Sequence, residues 1–283
     1  MNYGDYTMKI RIVADSSANM EYVDGVDFAS VPLTIQAGDR SYVDNADLDV
    51  QGMLADLREY SSKTGTACPS VGDWYSAFGD ADMVVGASIT SGLSGCYNAA
   101  RLAAKEYERD HPGKRVFILD SLSTGPELQL IVEKYVEYIR AGLSFDQIRG
   151  YIMSYAKKTR LLFSLERLEN FAKNGRVSPA VAKVVGLLGI RVVGRASNEG
   201  TLEPTHKVRG ERKAIAKLFE YMKDLGFQGG KVRISHSYNE NAANSFAELI
   251  RNAFPSCDIQ IRLNRGLCCY YAEEGGVLVG FEV

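Results

Sequence analysis

With 283 residues, 46% of them hydrophobic, the chain is long enough to bury the core of one large α/β domain or of two ordinary ones. Its 33 basic residues face 35 acidic ones, a net charge of −2, so no electrostatic footprint points to nucleic acid or to an anionic membrane surface. No apolar run approaches the roughly 20 residues of a bilayer-spanning helix, and Met1-Asn2-Tyr3-Gly4-Asp5-Tyr6 lacks a basic region followed by an apolar one, so a cytoplasmic protein is expected.

Met8 to Ala14 alternates apolar and basic residues and reads as the first strand, stopping at the polar loop Asp15-Ser16-Ser17-Ala18-Asn19. Val31 to Ile35 and Ser41 to Asp44, around Ala37-Gly38-Asp39-Arg40, read as strand, turn and short strand, and Asp49 to Tyr60 reads as an amphipathic helix. A hydroxyl-rich stretch, Thr64 to Ser70, precedes Trp74, Tyr75 and Phe78 at helical spacing. Met83 to Ala87 and Arg115 to Leu119 are further strands, the latter ending in Asp120-Ser121. Three strands with polar ends and helices between them predict a parallel sheet wound in βαβ units. Ligands of such sheets bind outside the carboxyl ends of the strands, which puts Asp15, Ser16 and Ser17 near a site, with Ser121 at the corresponding end of the later strand, although capping by Asp15 or Ser17 explains the first loop at least as well. Pro126 opens a helix to Arg140, and Ser144 caps another from Phe145 to Lys158.

From about Thr159 the texture changes. Leu161 to Phe163 reads as a strand, Leu165 to Lys173 as a helix, Asn174-Gly175-Arg176 as a turn and Pro179 to Leu188 as an apolar helix beside a core or cavity. Ile190 to Arg195 and Leu202 to Val208 flank a hairpin turn at Ser197-Asn198-Glu199-Gly200. Glu211 to Leu225, Val232 to His236, Asn239 to Phe254, Asp258 to Leu263 and Val277 to Phe281 complete an alternating set. Five cysteines without a C-x-x-C pair read as free thiols, and three isolated histidines form no metal pattern; neither a metal nor a cofactor is expected.

The chemistry concentrates between Ser88 and Ala100, where a strand turns into a helix through Gly92-Leu93-Ser94-Gly95. The first amides of that helix lack intrahelical partners and carry the positive end of the macrodipole, which makes an anion site. Gly95 lets backbone approach the anion and Ser94 offers a hydroxyl, while simple capping by Ser91 or Ser94 explains the same residues.

These motifs together resemble the DegV family of bacterial fatty-acid-binding proteins over nearly the whole chain. Asp15-Ser16-Ser17 is similar to the family's early Asp-Ser pair, Thr66-Ala67-Cys68-Pro69-Ser70 to its Thr-Ser-Gln-Pro-Ser, and Gly92-Leu93-Ser94-Gly95-Cys96-Tyr97 to its Leu-Ser-Gly-Thr-Tyr. Asp120-Ser121 with Gly125, Lys173-Asn174-Gly175-Arg176-Val177 and Lys207-Val208-Arg209-Gly210 follow in the family's order. The sequence departs from the pattern at Cys68, where the family has Gln, and at Asn264-Arg265-Gly266-Leu267-Cys268-Cys269, where it has a His-Thr-Gly-Pro-Gly loop. The resemblance implies an α/β protein of two domains: a three-layer α/β/α unit with a parallel sheet over residues 1–158, and a two-layer α/β unit with a mixed sheet over 159–283. It further implies a long-chain fatty acid held between them as ligand, with no catalytic residue of the protein's own. The carboxylate would meet Thr66 and Ser94, with Arg176 and Arg209 at the mouth and Asn264 in the altered loop. The implied partner is a separate fatty acid kinase catalytic subunit that makes acyl-phosphate for phospholipid synthesis, with contact at a membrane surface transient at most.

Two other classes compete. A serine hydrolase would use Ser94 as nucleophile, but Gly-Leu-Ser-Gly lacks the glycine spacing of a nucleophile elbow, and no histidine is supported as its base. A nucleotide binder would need a phosphate-loop or dinucleotide fingerprint, and no strand is followed by one.

Overall fold

The computed structural model describes residues 8–178 and 189–283 of the chain; the helix expected over 179–188 falls outside them. In chain order the first strands are β1 (Ile10–Asp15), β2 (Asp27–Val31), β3 (Thr34–Ala37), β4 (Arg40–Val43), β5 (Thr64–Ala67), β6 (Met83–Ser88) and β7 (Arg115–Asp120). Among them run the helices α1 (Val50–Glu59), α2 (Val71–Phe78) and α3 (Cys96–Asp110), followed by α4 (Gly125–Arg140) and α5 (Phe145–Tyr155). Sheet A is parallel throughout, in the order β2-β1-β6-β7. All six residues of β6 are buried, as expected for a strand covered on both faces, which is why it reads as an unbroken apolar run. Val13, Val84 and Ile118 pack on Trp74, Phe78 and Tyr107 of α2 and α3, whereas Ile12 and Val85 pack on Leu128, Ile131 and Tyr135 of α4. These are the three layers expected of the N-terminal half.

The run Val31 to Ile35 does not form one strand. Pro32 has no amide proton for a ladder, so β2 ends at Val31 and β3 starts at Thr34 in a separate sheet B, ordered β4-β3-β5 and antiparallel.

The second half contains β8 (Thr159–Leu165), α6 (Glu169–Lys173), β9 (Ile190–Ala196), β10 (Leu202–Arg209), α7 (Glu211–Asp224), β11 (Lys231–His236), α8 (Glu240–Ala253), β12 (Asp258–Leu263), α9 (Gly266–Ala272) and β13 (Val277–Glu282). Sheet C runs β10-β9-β8-β13-β11-β12 and is mixed, with β11 and β12 parallel and the other pairs antiparallel. Two expectations change here. Leu165 is not the start of a helix but the buried end of β8, paired with Val192, so the helix shrinks to α6. The stretch after Asn264 is not a loop but leads into α9, whose Gly266 and Leu267 amides donate to the buried Asp44 carboxylate at 2.9 and 3.0 Å.

One face of sheet C carries α7 and α8, through Leu218, Phe246 and their neighbours. The opposite face meets α4 at Gly280, where a Cβ would lie 2.4 Å from the Glu127 amide nitrogen; only glycine admits this approach, which brings sheets A and C onto a shared helix. No helix among the described residues is long and apolar enough to cross a membrane.

Candidate functional site

In sheet A the chain steps to one side of β1 for β2 and to the other for β6, so a crevice opens outside the carboxyl ends of β1 and β6. Asp15 forms its floor. The buried carboxylate accepts from the Ser17 amide at 3.1 Å, the Ser17 hydroxyl at 2.5 Å, the Ile89 amide at 2.6 Å and the Cys96 thiol at 3.4 Å. Burial raises the Asp15 pKa above the ordinary carboxylate value, and these donors oppose it. Asp15 thereby ties the loop after β6 to the end of β1.

That loop is locked by Thr90, by its own backbone and by Asp120 at the end of β7. Thr90 Oγ1 accepts from the Gly92 amide at 3.0 Å, the Ser91 amide donates to Asp120 at 3.0 Å, and the Ser94 amide donates to the Thr90 carbonyl at 3.2 Å. Ser94 Oγ accepts from the Cys96 amide at 3.2 Å, and the Gly95 N-cap of α3 makes no side-chain hydrogen bond. Ser94 therefore serves the helix start with its oxygen, while among the described residues nothing accepts its hydroxyl proton.

Above the loop lies a cavity with about 1030 Å³ of empty space, counting its open mouth. Thr66, Cys68, Ser94, Gly95 and Arg176 line it together with Tyr271, and the wall opposite is apolar, formed by Leu161, Phe163, Leu165 and Leu278 of sheet C. Arg176 is the one cation in the lining among the described residues. It is exposed, held by a 2.9 Å bond from its guanidinium to the Asn174 carbonyl, with Gly175 in the left-handed conformation at φ 71°. The hairpin turn covers the loop from the other side: Gly200, at φ 74°, would place a Cβ 2.0 Å from Thr90 Oγ1, and a Cβ on Gly92 would meet the Glu199 carbonyl at 2.6 Å.

Of the residues singled out from sequence, Thr66, Ser94, Gly95 and Arg176 thus share one cavity. Four do not line it. Ser17 is spent on Asp15, and Ser121 donates to the carbonyl of Ser123, itself a lining residue, at 3.0 Å. Asn264 is buried between Asn19 and Ser237, and Arg209 sits at the exposed end of β10. Among the lining residues not singled out from sequence, Tyr271 stands beside Thr66: its hydroxyl lies 2.8 Å from Thr66 Oγ1, a partner 205 positions away, and no local pattern announces it.

The family model described as an uncharacterised protein of the DegV family matches residues 9–282. The chain belongs to the DegV family. A DegV domain-containing protein of Streptococcus pneumoniae (strain ATCC BAA-255 / R6) is 41% identical over 280 residues, covering 98% of this chain and 100% of the relative. The Fatty Acid Kinase (Fak) B3 protein of Streptococcus pneumoniae, loaded with linoleic acid, superposes with a TM-score of 0.96 at 41% identity, over 98% of this chain and 100% of that one. A DegV family protein from Eubacterium eligens, loaded with heptadecanoic acid, gives a TM-score of 0.95 at 42% identity, over 97% and 99% of the two chains.

In this DegV chain the groups that a hydrolase would need are apart. No histidine lines the cavity among the described residues: His111 follows α3, His206 lies on β10, and His236 accepts from the Asn239 amide. Burial first, then the Asp15 charge, pushes the Cys96 thiol well above its ordinary pKa, which keeps it a protonated, poor nucleophile.

Proposed function

We propose that this DegV protein binds a long-chain fatty acid in the cavity, with the carboxylate at Thr66, Ser94 and the Gly95 end of α3, and the tail along the apolar wall of sheet C. The site would lie between two domains, residues 1–158 and 159–283. The observation that carries the reading is the composition of the lining: hydroxyls, the Gly95 end of α3 and, among the described residues, a single cation on one side, and aliphatic and aromatic side chains on the other. A carboxylate taken from water requires several donors, and each buried methylene of a tail contributes about 0.8 kcal/mol. The tail supplies affinity and the head sets orientation. The linoleic and heptadecanoic acids carried by the two superposable proteins support this reading.

Delipidated protein is expected to rebind oleic acid much more tightly than methyl oleate, since the ester offers no anion to the helix start and hydroxyls. Titration calorimetry with both ligands is the test; equal affinities would remove the head-group site.

We further infer that the bound carboxylate is presented at the exposed Arg176 side to a fatty acid kinase catalytic subunit that phosphorylates it. The Fak B3 neighbour supports this partner. Arg209, exposed and outside the lining, is then a candidate for partner contact. Arg209→Ala should retain oleic acid binding and slow acyl-phosphate formation with a cognate kinase; unchanged turnover would take Arg209 out of that encounter.

A further inference from the structure

Two consecutive tyrosines of α9 reach two threonines of β5. Thr64 and Thr66 are two residues apart on a strand and therefore share a face. The Tyr270 hydroxyl lies 2.7 Å from Thr64 Oγ1 and the Tyr271 hydroxyl 2.8 Å from Thr66 Oγ1. The first pair is closed: Asn174 Nδ2 donates to the Tyr270 oxygen at 2.8 Å, Thr64 and Tyr270 are buried, and neither lines the cavity. The second pair is open, since both Thr66 and Tyr271 line the cavity. The Tyr271 ring is braced by Phe171, with centroids 4.8 Å apart, and by Tyr270 at 4.9 Å.

A hydroxyl has one proton to give and two lone pairs to receive. Within the Tyr271 and Thr66 pair either oxygen can donate, and the direction is decided by whatever else binds. An anion beside Thr66 takes the Thr66 proton, and Tyr271 must then supply the proton between the two oxygens. Phenols are the stronger donors of the two, and burial holds Tyr271 in its protonated form by raising its pKa.

We propose that Tyr271 is a positioning residue for the ligand head: its hydroxyl donates to Thr66 Oγ1 and so turns the Thr66 proton into the cavity, toward a carboxylate. This rests on the head-group reading above and adds a residue to it. Two hydroxyls in series polarise each other, so the Thr66 hydroxyl becomes a better donor to an anion than an isolated threonine would be. The effect is specific to charged ligands.

The test compares oleic acid and methyl oleate binding to delipidated parent, Tyr271→Phe and Tyr270→Phe proteins, with the melting temperature of each ligand-free protein recorded. Tyr271→Phe keeps the ring contacts and is expected to weaken oleic acid by roughly two- to tenfold, the range for one neutral hydrogen bond, with methyl oleate unchanged. Tyr270→Phe is expected to melt earlier and to keep the parent's preference for acid over ester. A Tyr271→Phe protein with the parent's preference, or with acid and ester weakened equally, would overturn the role of Tyr271. A parent that shows no preference at all overturns the head-group reading itself, before any variant is compared. Should Tyr271→Phe fail to fold, 3-fluorotyrosine at position 271 strengthens the same donor within nearly the same shape; a raised preference for the acid supports the relay, and an unchanged one overturns it.

Discussion

Thr66→Ala and Ser94→Ala are each expected to lower fatty-acid affinity by about 1.5 to 3 kcal/mol, the range for hydrogen bonds to charged groups. Each variant leaves the other hydroxyl and the α3 amides in place, so neither abolishes binding. Donors that share one small anion are close enough to couple, and the double variant should depart from additivity by about 0.5 kcal/mol or more. A double-mutant cycle on oleic acid affinity measures this directly. Ser94 also accepts from the Cys96 amide, so Ser94→Ala carries a cap loss of its own. Melting temperatures of the ligand-free proteins separate the two effects. Variants that melt early and bind like the parent would reduce Ser94 to a cap and move the carboxylate elsewhere in the cavity.

The second large effect is expected from Glu127, in the first turn of α4. Its carboxyl is buried, with the Ser123 hydroxyl at 2.5 Å and the Thr159 hydroxyl at 2.7 Å. Burial, only partly offset by these two hydroxyls and by the charge of Arg160, pushes its pKa up to about 7. The geometry suits the protonated acid. Thr159 also lies 3.1 Å from the Ala156 carbonyl, and its single proton can serve that acceptor only if the carboxyl supplies the other hydrogen bond. Because the folded state holds this proton more tightly than the unfolded chain, the contribution of Glu127 to stability is complete below pH 4.5 and is lost as the pH rises through about 7. At about 1.4 kcal/mol per pH unit, that interval is worth about 3 kcal/mol. Urea unfolding of Glu127→Gln and parent at pH 5 and pH 8 should therefore show the variant gaining on the parent as pH rises. A difference that stays constant between the two pH values would mean that Glu127 is ionised in the folded protein.

Where a segment's structure depends on its own residues, the sequence was readable. The Ser144 capping box of α5 and the turn at Ser197 to Gly200 use partners within a few positions, and the apolar runs of β1, β6 and β7 show as strands through their own composition although their ladder partners are distant. The misread segments use distant ones. Helix α9 is short and is capped by Asp44 from 222 positions away, so nothing near Gly266 signals its start. Strand β5 gains its identity by pairing with β3, and its sequence, Thr-Gly-Thr-Ala, has little strand character. Leu165 fits either periodicity, and its pairing with Val192 decides for the strand. The same division holds in the cavity. Ser94 and Gly95 stand in a motif with its own logic, whereas Tyr271 acquires its place only when α9 is folded against β5.

The position of β13 in sheet C has a consequence for how the protein is made. It is encoded after every other strand of that sheet yet lies between β8 and β11, and it contributes Leu278 to the cavity wall and Gly280 to the seat of α4. On the ribosome, sheet A has all four of its strands once residue 120 has emerged, and each strand pairs with neighbours already present. Sheet C at that stage does not exist, and until residues 277–282 emerge it remains two separate pieces, β10-β9-β8 and β11-β12. Non-local pairing of this kind is slow, and its unpaired edges are exposed meanwhile. A nascent chain from which residues 277–282 have not emerged would therefore carry a complete parallel sheet, unpaired facing edges on β8 and β11, and a cavity wall that lacks Leu278.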